Sequence, residues 1–151
     1  MTNMPPARSA EQRKSDVLER LEKDQDAWVS TADRDGGPLL APLSFVWHDG
    51  TLLMCTRTTN RTARNLAANG EARIALGHTR DVILIDAEAE TVAGTDLPAA
   101  AADAFAAKLA WDPRERAAWV YLRFRPRRLL AWREENELEG RELMRNGAWR
   151  V

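Results

Sequence analysis

Two tight turns restrict what the first half of this chain can become. Asp33-Arg-Asp-Gly-Gly-Pro38 has glycines for positive φ and a proline to close the reversal, and His48-Asp-Gly50 is a second short turn of similar chemistry. Apolar and β-branched runs flank them: residues 27–32 before the first, 39–47 between the two and 51–57 after the second. Strands joined by such short reversals form an antiparallel meander. A parallel sheet is excluded here, because parallel neighbours need a long crossover between consecutive strands. Pro42 lies inside the middle run, which predicts an edge, a bulge or a place where the ladder opens for a ligand.

The remaining residues extend the pattern. Residues 1–10, with Pro5-Pro6, read as a mobile lead-in, and 11–151 as one domain. A helix is expected near 12–23, capped by Ser9 or Ser15, with Val17, Leu18 and Leu21 on one face. A second helix is expected over 61–69, with Asn60 as N-cap and Asn69-Gly70 as a left-handed C-cap. Strands follow over 71–77 and 82–92. Asp96 is placed to cap the alanine-rich helix 99–109, with Leu97-Pro98 in its first turn. Residues 118–124 alternate as a strand, Pro126 breaks it, and 128–134 resume as extended chain. Residues 136–151 read as a polar tail with a turn at Asn146-Gly147. Six or seven mostly antiparallel strands and three helices predict a mainly β fold, a small antiparallel barrel with flanking helices.

Charge and composition remove several functions. The formal net charge is −1, which gives no basis for binding nucleic acid or an anionic membrane. No apolar run is long enough to span a bilayer, and the first residues lack the apolar core of a signal peptide, so the chain reads as cytoplasmic. Cys55 is the single cysteine and excludes an internal disulfide. His48 and His78 lack metal-ligand spacing and read as solvated. No serine or cysteine stands in a nucleophile context, and no glycine-rich phosphate loop is present.

What remains is the strand–corner–helix from Thr56 to Asn65. A helix N-terminus presents unpaired N–H groups and the positive end of a dipole. Here it carries hydroxyls on Thr58, Thr59 and Thr62 and guanidiniums on Arg61 and Arg64, the groups that hold a phosphate. The same residues read equally well as a solvated basic first turn, since cations oppose the dipole unless an anion is present. A phosphorylated cofactor that brings its own chemistry suits a site with no acid–base apparatus.

The chain resembles the pyridoxamine 5′-phosphate oxidase-like superfamily of flavin/deazaflavin split-barrel oxidoreductases. The resemblance runs from about residue 18 to 151. It is carried by Ala27-Trp-Val-Ser-Thr-Ala32, Gly37-Pro-Leu-Leu-Ala-Pro-Leu-Ser-Phe45, Leu53-Met-Cys-Thr56, Glu71-Ala-Arg-Ile-Ala-Leu76 and, most specifically, Asn60-Arg-Thr-Ala-Arg-Asn-Leu66. It implies an antiparallel split β-barrel of the FMN-binding type and a homodimer with cofactor sites at the subunit interface. Thr56, Arg61 and Thr62 match positions near the ribityl phosphate, in a corner that includes Arg57, Thr58, Arg64 and Asn65. Pro42, Leu43 and Ser44 match the strand along the flavin ring. Trp132 and Trp149 are candidates for the partner's contribution, or for interface packing.

The departures narrow the expectation. The family's usual Arg-Lys phosphate pair is Arg61-Thr62 here, and Ala41 and Val46 stand where the true oxidase has an arginine and a lysine. Its substrate-phosphate residues have no match, so pyridoxamine phosphate is not the expected substrate. The resemblance implies an oxidoreductase using FMN, or else the deazaflavin coenzyme F-420, on a small organic molecule. The alternative is a non-catalytic carrier of a flavin or haem.

Overall fold

A computed structural model describes residues 4–151. Its strands are β1 (Asp26–Ala32), β2 (Pro38–Ser44), β3 (Val46–His48), β4 (Thr51–Arg57), β5 (Glu71–Leu76), β6 (Val82–Val92), β7 (Trp119–Trp132), β8 (Glu142–Arg145) and β9 (Ala148–Trp149). All pairings are antiparallel, in the order β2-β1-β5-β6-β7-β4-β3, with β8 added to β7 and β9 to β8. The helices are α1 (Ala10–Lys23), α2 (Arg61–Ala68) and α3 (Ala99–Leu109). None is long and apolar enough to cross a membrane.

β2 and β3 lie at opposite ends of this order although only Phe45 separates them in the chain. The sheet therefore has to curl until its two ends meet, and no ladder bonds join them. The result is a barrel with one open seam: the split β-barrel. Phe45 is fully buried at the seam, and its N–H donates to the Gln25 carbonyl at 2.9 Å. The period-two pattern sends Ala27, Val29, Ile74, Leu76, Ile83, Ile85, Leu122 and Phe124 into one core. α1 packs on β3 and β7, and α2 packs on β1, β2, β4 and β6, so α2 bridges both sides of the seam. α3 covers the opposite wall of β3 and β4 over a second cluster containing Leu53, Cys55, Phe105 and Tyr121.

Several expectations change. The run 39–47 is divided into β2 and β3 at Phe45, because that residue turns inward at the seam. Pro126 does not break the strand: β7 runs through it. The register shifts at Asp86/Ala87, where Ala87 faces Pro126, so the proline's missing N–H falls at a bulge. Residues 136–151 are no loose tail, since Leu143 and Met144 are buried and β8–β9 form a hairpin around Asn146-Gly147, both at positive φ. Pro98 rather than Asp96 precedes the first turn of α3, without a side-chain cap. Asn69 is extended (φ −145°), so α2 has no left-handed cap. Gly70 serves a close approach instead, as a Cβ there would meet the Ala89 carbonyl at 2.9 Å. Ser9, not Ser15, caps α1 by accepting from Gln12 N–H at 3.1 Å.

Residues 1–3 of the lead-in lie outside the described residues. Arg8 is clasped to the far end of the chain, donating to Glu137 at 2.7 Å (Nη2–Oε1) and to Asp16 at 2.9 Å. Arg13, only 5% exposed, donates to the Glu137 carbonyl at 2.9 Å. Arg8, chiefly through its side-chain hydrogen bond, holds the Glu137 carboxyl down to about 2, against an ordinary 4.5. The folded value lies below the unfolded one, so this carboxylate contributes stability above about pH 4.5 and loses it as pH falls toward 2. Replacing Glu137→Ala is expected to cost about 3 kcal/mol at pH 7, since half-buried Arg8 keeps only Asp16 and the Arg133 N–H loses its acceptor. Urea melts across pH 7 to 2 should show the gap to the parent closing in the acid range; a gap independent of pH would contradict the assignment.

Candidate functional site

β4 delivers Thr56 to the barrel end, where it is 4% exposed, and the chain then turns outward. Thr58 N–H donates to the Ala118 carbonyl at 3.0 Å and Asn60 N–H to the Arg57 carbonyl at 3.1 Å, which closes the corner. The Arg57 guanidinium lies over the Trp119 ring, 4.9 Å from its centroid. Asn60 sits at the N-cap position, but its side chain does not cap. Its Nδ2 donates to Thr56 Oγ1 at 2.6 Å, so the first turn of α2 has no side-chain acceptor. The helix therefore starts with open N–H groups.

From this turn Arg61 and Arg64 project together into solvent, as i and i+3 neighbours do. Asn65 points the other way, is buried, and donates Nδ2 to Thr31 Oγ1 at 3.1 Å, fastening α2 to β1. Thr62 is also buried, at 5% exposure. An open groove of about 390 Å³ runs along the turn, lined by Arg61, Arg64, Asn65 and Ala68 from α2 and by Asp33 and Arg34 from the β1–β2 hairpin. Among the described residues, Arg34, Arg61 and Arg64 make no ion pair. Asp33 is engaged in its own turn, where Oδ1 accepts from Asp35 N–H at 2.9 Å and Gly37 N–H at 2.8 Å. The groove thus gathers three guanidiniums against one committed carboxylate.

Arg34 was not legible as a site residue, because its place depends on how far the hairpin leans over α2. Other expected site residues lie elsewhere in the chain. Leu43 packs against the core. Pro42 lines a separate recess of about 380 Å³ with Trp28 and Ala75, and Ser44 Oγ donates to Asp26 at 2.6 Å. Trp132 lies under the Arg141 guanidinium at 5.5 Å, and Lys14 sits 5.0 Å from the Trp149 ring centre. Neither tryptophan reaches the Arg61 groove.

Other chemistry is sparse. Burial pushes the Cys55 thiol up to about 12, which suits an inert core residue. His78 Nδ1 accepts from Arg80 N–H at 3.1 Å in an exposed loop, and His48 is half-buried at the end of β3. No group of three or more candidate metal ligands occurs among the described residues.

An open antiparallel barrel with one unpaired seam bridged by a helix is a split β-barrel. The family model for pyridoxamine 5′-phosphate oxidase matches residues 14–133, and the chain belongs to that family. Among solved structures, an F420 reductase is 20% identical, with a TM-score of 0.60 over 74% of this chain and 93% of that one. HutZ, the haem storage protein from Vibrio cholerae, is 17% identical, with a TM-score of 0.64 over 79% of this chain and 94% of its own. A conserved hypothetical protein, Rv2991 from Mycobacterium tuberculosis, is 15% identical, with a TM-score of 0.65 over 90% and 92%. At these identities the likeness establishes the fold. No curated protein matches the chain.

Asn65→Ala breaks the buried link between α2 and β1 and strands the Thr31 hydroxyl. A loss of about 1–3 kcal/mol is expected in urea melts, with the β-sheet signal retained below the transition. A neutral substitution would show that α2 is fixed by packing alone.

Proposed function

We propose that the chain is a homodimeric oxidoreductase that holds the phosphate of a flavin-type cofactor, FMN or the deazaflavin coenzyme, at the first turn of α2. The observation that carries this reading is the convergence of Arg34, Arg61 and Arg64 on an uncapped helix start. Without an anion, these cations repel one another and oppose the helix dipole. A phosphate reverses both effects and fills open N–H groups as well. The missing lysine of the family's Arg-Lys pair fits this arrangement. Thr62 is buried, so a lysine there would have to find its way out, whereas Arg64 keeps a second charge on the exposed face. The residues present therefore fit the phosphate end of the cofactor. Bound there, the cofactor supplies hydride transfer. Arg61 and Arg64 hold its charge, and Asn65 positions the turn through Thr31. No acid or base beyond the committed Asp33 lines the groove, which suits chemistry supplied by the cofactor.

The cofactor ring needs a flat apolar wall, and a second copy of the chain would supply it. On the outer face of the sheet, Pro42, Trp28, Ala75, Leu84 and Leu130 are successive cross-strand neighbours, an unbroken apolar row over five strands. Within this row Trp28 is 47% exposed, and outside it, also on β2, Leu40 is 61% exposed. A second copy would cover both and bring Pro42 and Ser44 to an interface.

The likeness to HutZ supports a carrier of haem as the second reading. The histidines do not favour it. His78 Nδ1 is taken up by the Arg80 N–H at 3.1 Å in an exposed loop, and neither His48 nor His78 lines the Arg61 groove.

The test is a parallel titration with FMN, deazaflavin coenzyme and haemin, followed by absorption. Saturable binding of one of the first two is expected. Arg61→Ala with Arg64→Ala should weaken it on the order of 10²-fold, as two charge-assisted bonds are lost. Unchanged affinity in the double variant overturns the phosphate assignment, and a Soret band with haemin alone selects the carrier reading. For the assembly, light scattering at micromolar concentration should give twice the chain mass. Trp28→Glu with Leu40→Glu should reduce it to one chain; a parent that already weighs one chain refutes the dimer.

A further inference from the structure

A second cationic recess lies where β8 joins β7. Glu142 of β8 accepts hydrogen bonds or ion pairs from Arg128 (2.7 Å), Arg145 (2.6 Å) and Arg150 (3.0 Å). Its side chain is 16% exposed, and these contacts, Arg128 foremost, hold its carboxyl down to about 2. Arg141 adds a fourth guanidinium to the same lining. The recess measures about 550 Å³, and its apolar wall is Leu130, Leu143 and Leu138, the last 41% exposed at the rim. Val151 also lines it, with its carbonyl oxygen taken up by Lys14 at 2.8 Å.

One carboxylate cannot neutralise four guanidiniums. A surface ion pair has little value for stability, yet three arginines are drawn to within 3.0 Å of a single acid. Glu142 therefore occupies part of a site whose charge calls for more negative groups than it provides. Arginine forks recognise sulfonate, phosphate and carboxylate oxygens, and the leucine wall beside them suits an apolar body. The recess shares no lining residue with the Arg61 groove.

We propose that this recess is a binding site for an amphiphilic organic anion, with the anionic end at Arg145 and Arg150, the apolar body against Leu130 and Leu138, and Glu142 as a built-in competitor for the same guanidiniums. The ligand class is an aryl or acyl compound carrying a sulfonate, phosphate or carboxylate. The recess is separate from the Arg61 groove, and at Leu130 it adjoins the apolar row of the proposed dimer face.

The probe is 8-anilinonaphthalene-1-sulfonate, titrated by fluorescence into the intact chain at neutral pH. Saturable binding of one probe per chain is expected, and Arg145→Ala with Arg150→Ala should weaken it about 10-fold or more. Glu142→Gln removes the competitor and should tighten it about 3- to 10-fold. A merely structural ion cluster predicts the opposite, since loss of Glu142 would loosen β8 and weaken any site there. Leu138→Glu leaves the cluster intact and places a carboxylate at an exposed rim, so it stays informative if Glu142→Gln fails to fold; binding should fall about 10-fold. Affinity unchanged or lowered in a folded Glu142→Gln, or unchanged in Leu138→Glu, overturns the proposal. Binding abolished by Arg61→Ala with Arg64→Ala, but kept in the Arg145/Arg150 variant, places the probe in the other groove and also overturns it.

Discussion

Everything in this fold follows from a closing constraint at one residue. β2 and β3 are joined by Phe45 alone, yet they form the two ends of the strand order. A flat sheet could not satisfy that connection. The strands between them must wrap around a common core, and Phe45 becomes the hinge on which the barrel closes. The hinge is well held: its ring lies 4.4 Å from the Lys108 ammonium, and that ammonium donates to the Asp24 carbonyl at 2.6 Å. α3 is thereby tied to the seam, and burial lowers the Lys108 pKa at that contact. The seam cannot close by ladder bonds, so something else has to span it. α2 does so, packing on β1 and β2 from one side and β4 from the other. The first turn of α2 therefore lies at the rim of the barrel. The helix that seals the barrel end must begin at its rim.

Charge is distributed with the same economy. With a net charge of only −1, most arginines find carboxylates: Arg73 with Asp86, Arg80 with Glu134, Arg123 with Glu90 and Arg114 with Asp103 and Asp112. Against that background, the turn of α2 and the recess around Glu142 each gather more cation than acid. They differ in construction. At α2, the local acid, Asp33, is committed to backbone amides, and the guanidiniums face water alone. Around Glu142, an acid is present but outnumbered. The first arrangement suits a tightly held, fixed anion aided by backbone N–H groups. The second suits exchange, because any incoming anion competes with a tethered one.

How much of this was legible in the sequence depends on the range of the interactions. The hairpin turns, the strand 51–57, the start of α2 at Arg61 and the alanine-rich helix were readable because turn chemistry and periodicity act within a few residues. β8 was not. Its four residues are too few to show a period, and Leu143 and Met144 acquire meaning only once β8 pairs with β7 and both join the core. Pro126 misled for a related reason: its missing donor matters only if a partner strand asks for one, and the bulge at Asp86/Ala87 removes the demand. The burial of Arg13 likewise depends on distant chain, since its guanidinium satisfies carbonyls of Arg8 and of Glu137, 124 residues away. At the candidate site, Arg61, Arg64 and Asn65 were visible because they belong to one short helix, while Arg34 had to wait for the hairpin's tilt.

Asn60 shows how a local rule yields to a tertiary one, and why the site depends on it. An asparagine at this position normally turns its oxygen to the helix amides. Here Thr56, buried at the end of β4, offers a hydroxyl acceptor 2.6 Å from the Asn60 amide nitrogen. A single side chain cannot easily reach back to the strand and forward to the helix start at once. The strand takes it, which keeps the corner tight and the cap absent. Had Thr56 been a valine, the asparagine would be free to cap α2, its oxygen would occupy the first-turn amides, and Arg61 and Arg64 would sit beside a satisfied helix end. The threonine at the end of β4 thus acts on the groove without lining it. It diverts the residue that could close the helix end from within, and leaves that end without a side-chain cap.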